Sequence, residues 1–170
     1  IAQIKASQFK QARDSLQPLL AKAPNDITYN LAQIQLDIDN SRLADAQQRT
    51  DRMLTQYPGN YPLNQIRVDL LLKQNRTADA EKALDGLLKS RPDDPDVWYQ
   101  VAEVRGLTRN IIGLHQARAE YFALVGDYRQ AIQQLDFAQK LTNNFQLSAR
   151  LDARKRELMD QERALKEMMN

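Results

Sequence analysis

The 170-residue chain has no cysteine, one histidine, five glycines and six prolines, and aromatic residues make up only 6% of it. Each scarcity closes a class. Without cysteine there is no disulfide framework, no thiolate zinc site and no thiol nucleophile, and either an oxidising or a reducing compartment is permitted. The lone His115 cannot assemble a His-rich metal site, and no H-E-x-x-H, P-loop or G-x-S-x-G string occurs. No apolar run approaches the ~18 residues a membrane helix requires, which argues against membrane insertion. No signal peptide heads the chain, and it opens on Ile1 rather than an initiator Met, which predicts a piece of a longer protein. Charge of one sign is missing too. The 24 Lys and Arg face 22 Asp and Glu, a net charge of +2, so no long-range field favours nucleic acid or an anionic membrane.

What is present is Ala, Leu, Gln and charged residues recurring at gaps of three and four, within a chain that is 42% hydrophobic. That pattern predicts an all-α protein of amphipathic helices with a substantial core. A longer period lies over it. Ala12, Ala46 and Ala80 are spaced by 34 residues, and so are Pro24, Pro58 and Pro92. Leu16 and Leu20, then Met53 and Leu54, then Leu84, Leu87 and Leu88 fill the same frame between each Ala and Pro. A small side chain lets two helices approach while the larger ones fill the groove beside it. Proline stops the helix, because it lacks the N–H donor and restrains the residue before it. First helices are predicted at 27–37, 61–73 and 96–105, with turns at Asp39-Asn40-Ser41-Arg42 and Gln74-Asn75-Arg76.

This frame resembles the tetratricopeptide repeat, a 34-residue helix–turn–helix unit with Ala at its twentieth and Pro at its thirty-second position. Trp98 after Asp94-Pro95-Asp96-Val97 resembles the repeat's aromatic fourth position, and Gly126-Asp127-Tyr128 followed by Ala131 and Ala138 resembles the opening of its second helix. The resemblance implies a right-handed α-solenoid in which Ala12, Ala46, Ala80, Trp98 and Ala131 sit at tight helix packing. Irregularities are expected in three places. Ala131 follows Ala80 by 51 residues, one and a half periods, so an extra helix is expected over 111–125. The Leu31-Ala32 pair lies two residues too far from Ala46, implying a longer inner turn. Ser7-Gln8-Phe9 resembles a turn, leaving 1–6 as the remnant of a first helix. The organisation expected is therefore regular units over 1–94 with the first truncated, an irregular unit over 95–143 and a capping helix over 144–170, in one continuous solenoid. Leu147, Leu151, Leu158 and Leu165 form the stripe of that last helix, with Glu162 and Lys166 paired outside.

Nothing in the chain points to catalysis. His115, in Gly113-Leu114-His115-Gln116-Ala117, is expected to pack or cap, and Asp93-Asp94 with Asp96 favours the positive end of a helix dipole. Arg150, Arg154, Lys155, Arg156 and Arg163 are interleaved with Asp152, Glu157, Asp160 and Glu162, which predicts solvated ion pairs rather than a phosphate-binding stripe. The binding surface of a helix-pair array is the face lined by its first helices. Gln33, Arg67, Asp69, Tyr99 and Glu103 are the candidate groove residues, and Gln48 is expected on the convex face. A tetratricopeptide subtype clamps a chaperone's terminal carboxylate with Lys and Asn on first helices. Asn30 and Asn64 recur at its spacing, but Trp98 takes the third place and the Lys/Arg pair is absent, so that subtype is excluded.

A second resemblance is carried by the run from His115 through Ala117-Arg118-Ala119-Glu120-Tyr121-Phe122-Ala123-Leu124-Val125-Gly126-Asp127-Tyr128 to Ala131-Ile132, together with Ala149-Arg150-Leu151-Asp152-Ala153-Arg154. These segments resemble the end of periplasmic zinc metalloproteases of Gram-negative bacteria of the β-barrel assembly-enhancing type. The resemblance implies a non-catalytic substrate-recognition module in the periplasm, behind an upstream protease domain that holds the zinc, with no cofactor in this chain. Its implied partners are outer-membrane protein substrates, the lipopolysaccharide-transport barrel among them, and the β-barrel assembly machinery. A non-enzymatic adaptor of a secretion, pilus or cell-envelope assembly system accounts for the repeats equally well.

Overall fold

The computed structural model describes residues 2–168, with side chains from residue 8 onward. Its described residues form nine helices and no strand: α1 (Ala2–Lys22), α2 (Ile27–Asp39), α3 (Leu43–Gln56), α4 (Tyr61–Lys73), α5 (Thr77–Ser90), α6 (Pro95–Leu107), α7 (Ile111–Leu124), α8 (Tyr128–Lys140) and α9 (Phe145–Met168). The all-α helix–turn–helix architecture expected from the period is the fold. The chain divides into two compact units, Ile1–Arg76 and Thr77–Asn170, at the turn before α5.

Two kinds of turn alternate in the regular repeats, and each is built by the same chemistry every time. After α2, α4 and α6 the chain turns through a left-handed residue, Ser41 (φ 59°), Asn75 (φ 57°) and Arg109 (φ 60°). The next N–H then reaches back to the last turn of the helix: Arg42 to the Asp37 carbonyl (2.8 Å), Arg76 to Leu71 (2.8 Å) and Asn110 to Arg105 (2.9 Å). This is the Schellman ending, which satisfies carbonyls that a helix C-terminus leaves open. The other turn follows α1, α3 and α5, where Pro24, Pro58 and Pro92 stand two residues past the helix ends. The residues that cap the next helix, Asp26, Asn60 and Asp94, each accept a backbone N–H on a side-chain oxygen, from Tyr29, Leu63 and Asp96.

The half-period slip between Ala80 and Ala131 follows from these turns. α7 is left through Gly126 (φ 83°), and Asp127 N–H reaches the Phe122 carbonyl at 2.8 Å, the same ending that led into α7. No proline turn intervenes. α7 therefore closes one pair with α6 and opens the next with α8, and it packs against both. Small residues make room for this, with Gly113, Ala117 and Ala119 buried along α7. A Cβ at Gly113 would lie 2.6 Å from the Asn110 side chain that caps the helix, so a larger residue there would displace that cap.

The core of the first unit gathers Ile34, Ala46, Met53, Leu54, Leu63 and Leu70. That of the second includes Ala119, Ala131, Leu135, Ala138, Leu151 and Leu158. Ala46, Ala80 and Ala131 are fully buried. Four expectations are corrected. Ala12 is exposed, because α1 runs unbroken through Ser7-Gln8-Phe9 and no described helix covers that face, so Leu16 becomes its buried position. Neither Pro nor Gly stands at the expected turn to break the helix, and α1 continues even through Pro18. The inner turn of the second repeat has the ordinary length, 40–42 against 74–76 in the next, and Ile34 is fully buried in one cluster with Ala46 while Leu31 is half-buried against it and Ala32 is exposed. In α9, Leu147, Leu151 and Leu158 pack on the core while Leu165 is exposed. The last two residues of the capping segment expected over 144–170 lie outside the described residues, as does Ile1.

Candidate functional site

The position shared by Asn30, Asn64 and Trp98 explains itself in the structure. Each side chain donates to the carbonyl of the preceding stop proline: Asn30 Nδ2 to Pro24 (2.9 Å), Asn64 Nδ2 to Pro58 (2.9 Å) and Trp98 Nε1 to Pro92 (2.6 Å). Two residue types so different in shape serve one purpose, tying the proline turn to the first turn of the next helix. A carboxylate clamp has no free amide there.

The candidate groove residues fall in both units. In the second unit Tyr99 is 53% exposed on α6, and its ring meets Tyr121 of α7 edge-on at 5.7 Å. Tyr121 in turn meets Phe122 at 5.3 Å. Trp98 is half-buried and Glu103, one turn beyond Tyr99, is exposed. The aromatic edge of α6 and α7 is thus held in one orientation with a face left to solvent, the arrangement in which a tyrosine serves as a rigid binding anchor. In the first unit Arg67 and Asp69 are exposed on α4, and Arg67 lies 3.7 Å from Asp51 of α3. Partial desolvation by the surrounding protein still raises the Asp69 pKa above its ordinary value, with Lys73 partly opposing. Gln33 is buried on α2, its amide donating to Asp37 at 3.0 Å.

Gln33 and Asp37 open onto a cavity of about 580 Å³ between α1, α2 and α3. Four arginines reach it: Arg13 from α1, Arg42 from the turn before α3, and Arg49 and Arg52 from α3. Asp37, only 2% exposed, pairs closely with Arg42 and lies 4.0 Å from Arg49. Gln48, expected on the convex face, lines this cavity as well. Sequence reading missed the arginines. The available signal was the spacing of Arg42, Arg49 and Arg52, seven and three residues apart, which brings them towards one side of α3. Arg13 carried none.

The remaining singled-out residues are structural. His115 Nδ1 lies 2.8 Å from Gln134 Oε1 and its ring 5.4 Å from that of Phe137. In α9, Arg154 grips Glu120 of α7 with two bonds of 2.9 and 2.6 Å and holds Glu157 at 2.9 Å, while Lys155 reaches Asp136 at 2.6 Å. The hydrogen bonds to Glu120 raise the Arg154 pKa above its usual value, against a smaller effect of burial. Among the described residues no group of three His, Asp or Glu side chains converges in a way that could hold a metal ion, and no helix is long and apolar enough to cross a membrane.

Comparison with known proteins matches the tetratricopeptide repeat family over residues 37–104. No curated protein matches the sequence. Among solved structures, MamA superposes with a TM-score of 0.62 at 14% identity, over 96% of this chain and 95% of that one. MamA residues 41 to the end from Desulfovibrio magneticus RS-1 gives 0.62 at 15% identity, over 94% and 90%. A tetratricopeptide repeat protein from Parabacteroides merdae ATCC 43184 gives 0.59 at 14%, over 93% and 73%. These likenesses are of fold. Residues 37–104 thus form a tetratricopeptide repeat segment, a protein–protein interaction module, within a chain that has the tetratricopeptide fold throughout its described helices.

Proposed function

We propose that this module recognises substrates for a periplasmic zinc metalloprotease resembling the β-barrel assembly-enhancing protease BepA, receiving outer-membrane β-barrel proteins and components of their assembly machinery on the face that carries Tyr99. The zinc and its ligands belong to a protease domain upstream. The reading is supported by one observation above others: the two segments that carry the resemblance are locked together, Glu120 of the first to Arg154 of the second. The shared residues thus have a common structural reason, the joining of α7 to the terminal helix. The exposed Tyr99, braced by Tyr121, supplies the binding anchor. Tyr99→Ala is expected to weaken partner binding about thirtyfold.

A photocrosslinker at Tyr99 in the intact protein, in its own cell, tests the reading. A matched probe at Lys82, a strongly exposed residue of α5, is the control. Tyr99-specific capture of outer-membrane barrel proteins or their assembly machinery supports it. Equal capture from Lys82, or capture of secretion or pilus components instead, overturns it, the latter in favour of an adaptor.

A further inference from the structure

We propose that the cavity between α1, α2 and α3 is a binding site for a carboxylate of an acidic peptide segment, with Arg13 and Arg52 as its principal ligands and Arg49 behind them. The site is lined by residues of the first unit alone, shares none with the Tyr99 face and is independent of the protease reading.

The charge balance of the cavity is the first argument. Its lining has two more positive charges than negative. Both carboxylates are already engaged, Asp37 by Arg42, Arg49 and the Gln33 amide, and Asp45 by Arg42 at 3.9 Å. Arg13 and Arg52 have no carboxylate partner among the described residues. Arg52 shares a single neutral acceptor with Arg49, both donating to Asn30 Oδ1 at 3.1 and 3.2 Å. One amide oxygen satisfies hydrogen bonds but neutralises no charge. Arg13 Nε is buried without any hydrogen-bond partner, and a buried donor left open is costly unless a ligand completes it. Burial, with Arg52 and Arg42 nearby, also lowers the Arg49 pKa, so an incoming anion would relieve a repulsion already present.

The second argument concerns which anion fits. A guanidinium offers a planar pair of donors that matches a carboxylate in two parallel bonds. Asp37 and Asp45 in the same walls oppose a densely charged phosphate chain, and the protein's net charge of +2 provides no field to draw one in. The other surfaces suit a peptide: the amides of Gln17 and Gln48 can pair with a backbone, and Leu20 and Pro24 offer apolar contact.

Fluorescence anisotropy on the intact protein, with a labelled peptide of alternating Glu and Ala, tests the site. Three companions separate the sources of the carboxylate: the same peptide with an amidated end, the Gln counterpart with a free end, and the Gln counterpart amidated. Binding of the Glu peptide with a free or amidated end identifies side-chain carboxylates, whereas loss on amidation identifies the terminus; either supports the site. Arg13→Gln and Arg52→Gln are each expected to weaken binding about tenfold, with Lys82→Gln unchanged. Arg13 makes no hydrogen bond through its buried Nε, so its variant folds normally by circular dichroism even if the Arg52 variant does not. Equal binding of the amidated Gln peptide, no loss in Arg13→Gln, or preferential binding of a short polyphosphate would each overturn the proposal.

Discussion

Buried polar side chains gather in one unit of this protein and exposed apolar ones in the other. Among the described residues Asn30, Gln33, Asp37 and Thr50 are buried in Ile1–Arg76, against Gln134 alone in Thr77–Asn170. Of the described large apolar side chains left in solvent, only Leu19 lies in the first unit, whereas Tyr99, Leu107, Ile111, Val125, Leu141 and Phe145 are among those of the second, Phe145 at 85%. The same repeat frame therefore supports two interiors. In the first, buried polar groups are satisfied by hydrogen bonds and ion pairs, Thr50 within α3 on the Ala46 carbonyl (2.8 Å) and Asp37 by Arg42 and by Arg49 of α3. In the second, Gly and Ala bring backbones together, and displaced aliphatic and aromatic side chains remain outside. Surfaces of the second kind favour protein association through apolar burial, and cavities of the first kind favour a charged ligand.

This contrast can be broken or sharpened by substitution. Asp37→Ala leaves Arg42 and Arg49 without their shared carboxylate and is expected to cost about 3 kcal/mol. Hydrogen exchange should show the loss of protection in α2 and α3 exceeding that in α8 and α9, and equal loss in both units would end the distinction. Ala80→Leu overpacks a fully buried contact of the second unit and should cost about 1–3 kcal/mol, read as a lower urea midpoint. An unchanged midpoint would mean that small residues are not what closes that interior. Arg154→Ala removes a half-buried, two-bonded ion pair at an expected cost of about 1–2 kcal/mol, with faster amide exchange in α9 than in α8.

The turns give a finer test. Arg109→Gly replaces a left-handed non-glycine residue at the place where the fourth turn already has Gly126, and about 0.5–1 kcal/mol of stability should be gained, visible as a raised Tm. The smallest effect is expected at Asp69. A carboxylate whose folded-state pKa is raised stabilises the fold at low pH and loses that contribution as pH rises through the folded-state pKa. Asp69→Asn should therefore raise Tm at pH 7, within about 0.5 kcal/mol, and leave it unchanged near pH 3.

The sequence by itself determined the helices and turns of the regular repeats, though not the extent of α1, which runs through the turn expected at Ser7-Gln8-Phe9. A stop proline, a capping Asp or Asn and a left-handed residue each act on the few residues around them, so a 34-residue period in the letters becomes a period in the backbone. Ala46, Ala80 and Ala131 were legible for the same reason. Ala12 was not, because an identical letter is buried only if a helix covers it, and that is a fact about another segment. The half-repeat step at α7 was legible as a spacing, and its cause, one turn type used twice in succession, appeared only in the backbone. Tyr99 could be named from its place on a first helix, but its brace on Tyr121 comes from the packing of α7 on α6. The arginine cavity and the Glu120–Arg154 lock were decided by the tertiary structure alone. Their members come from separate segments of the chain, and only close packing brings such charges within the few ångströms over which pairing, burial and the lack of a partner acquire energetic meaning.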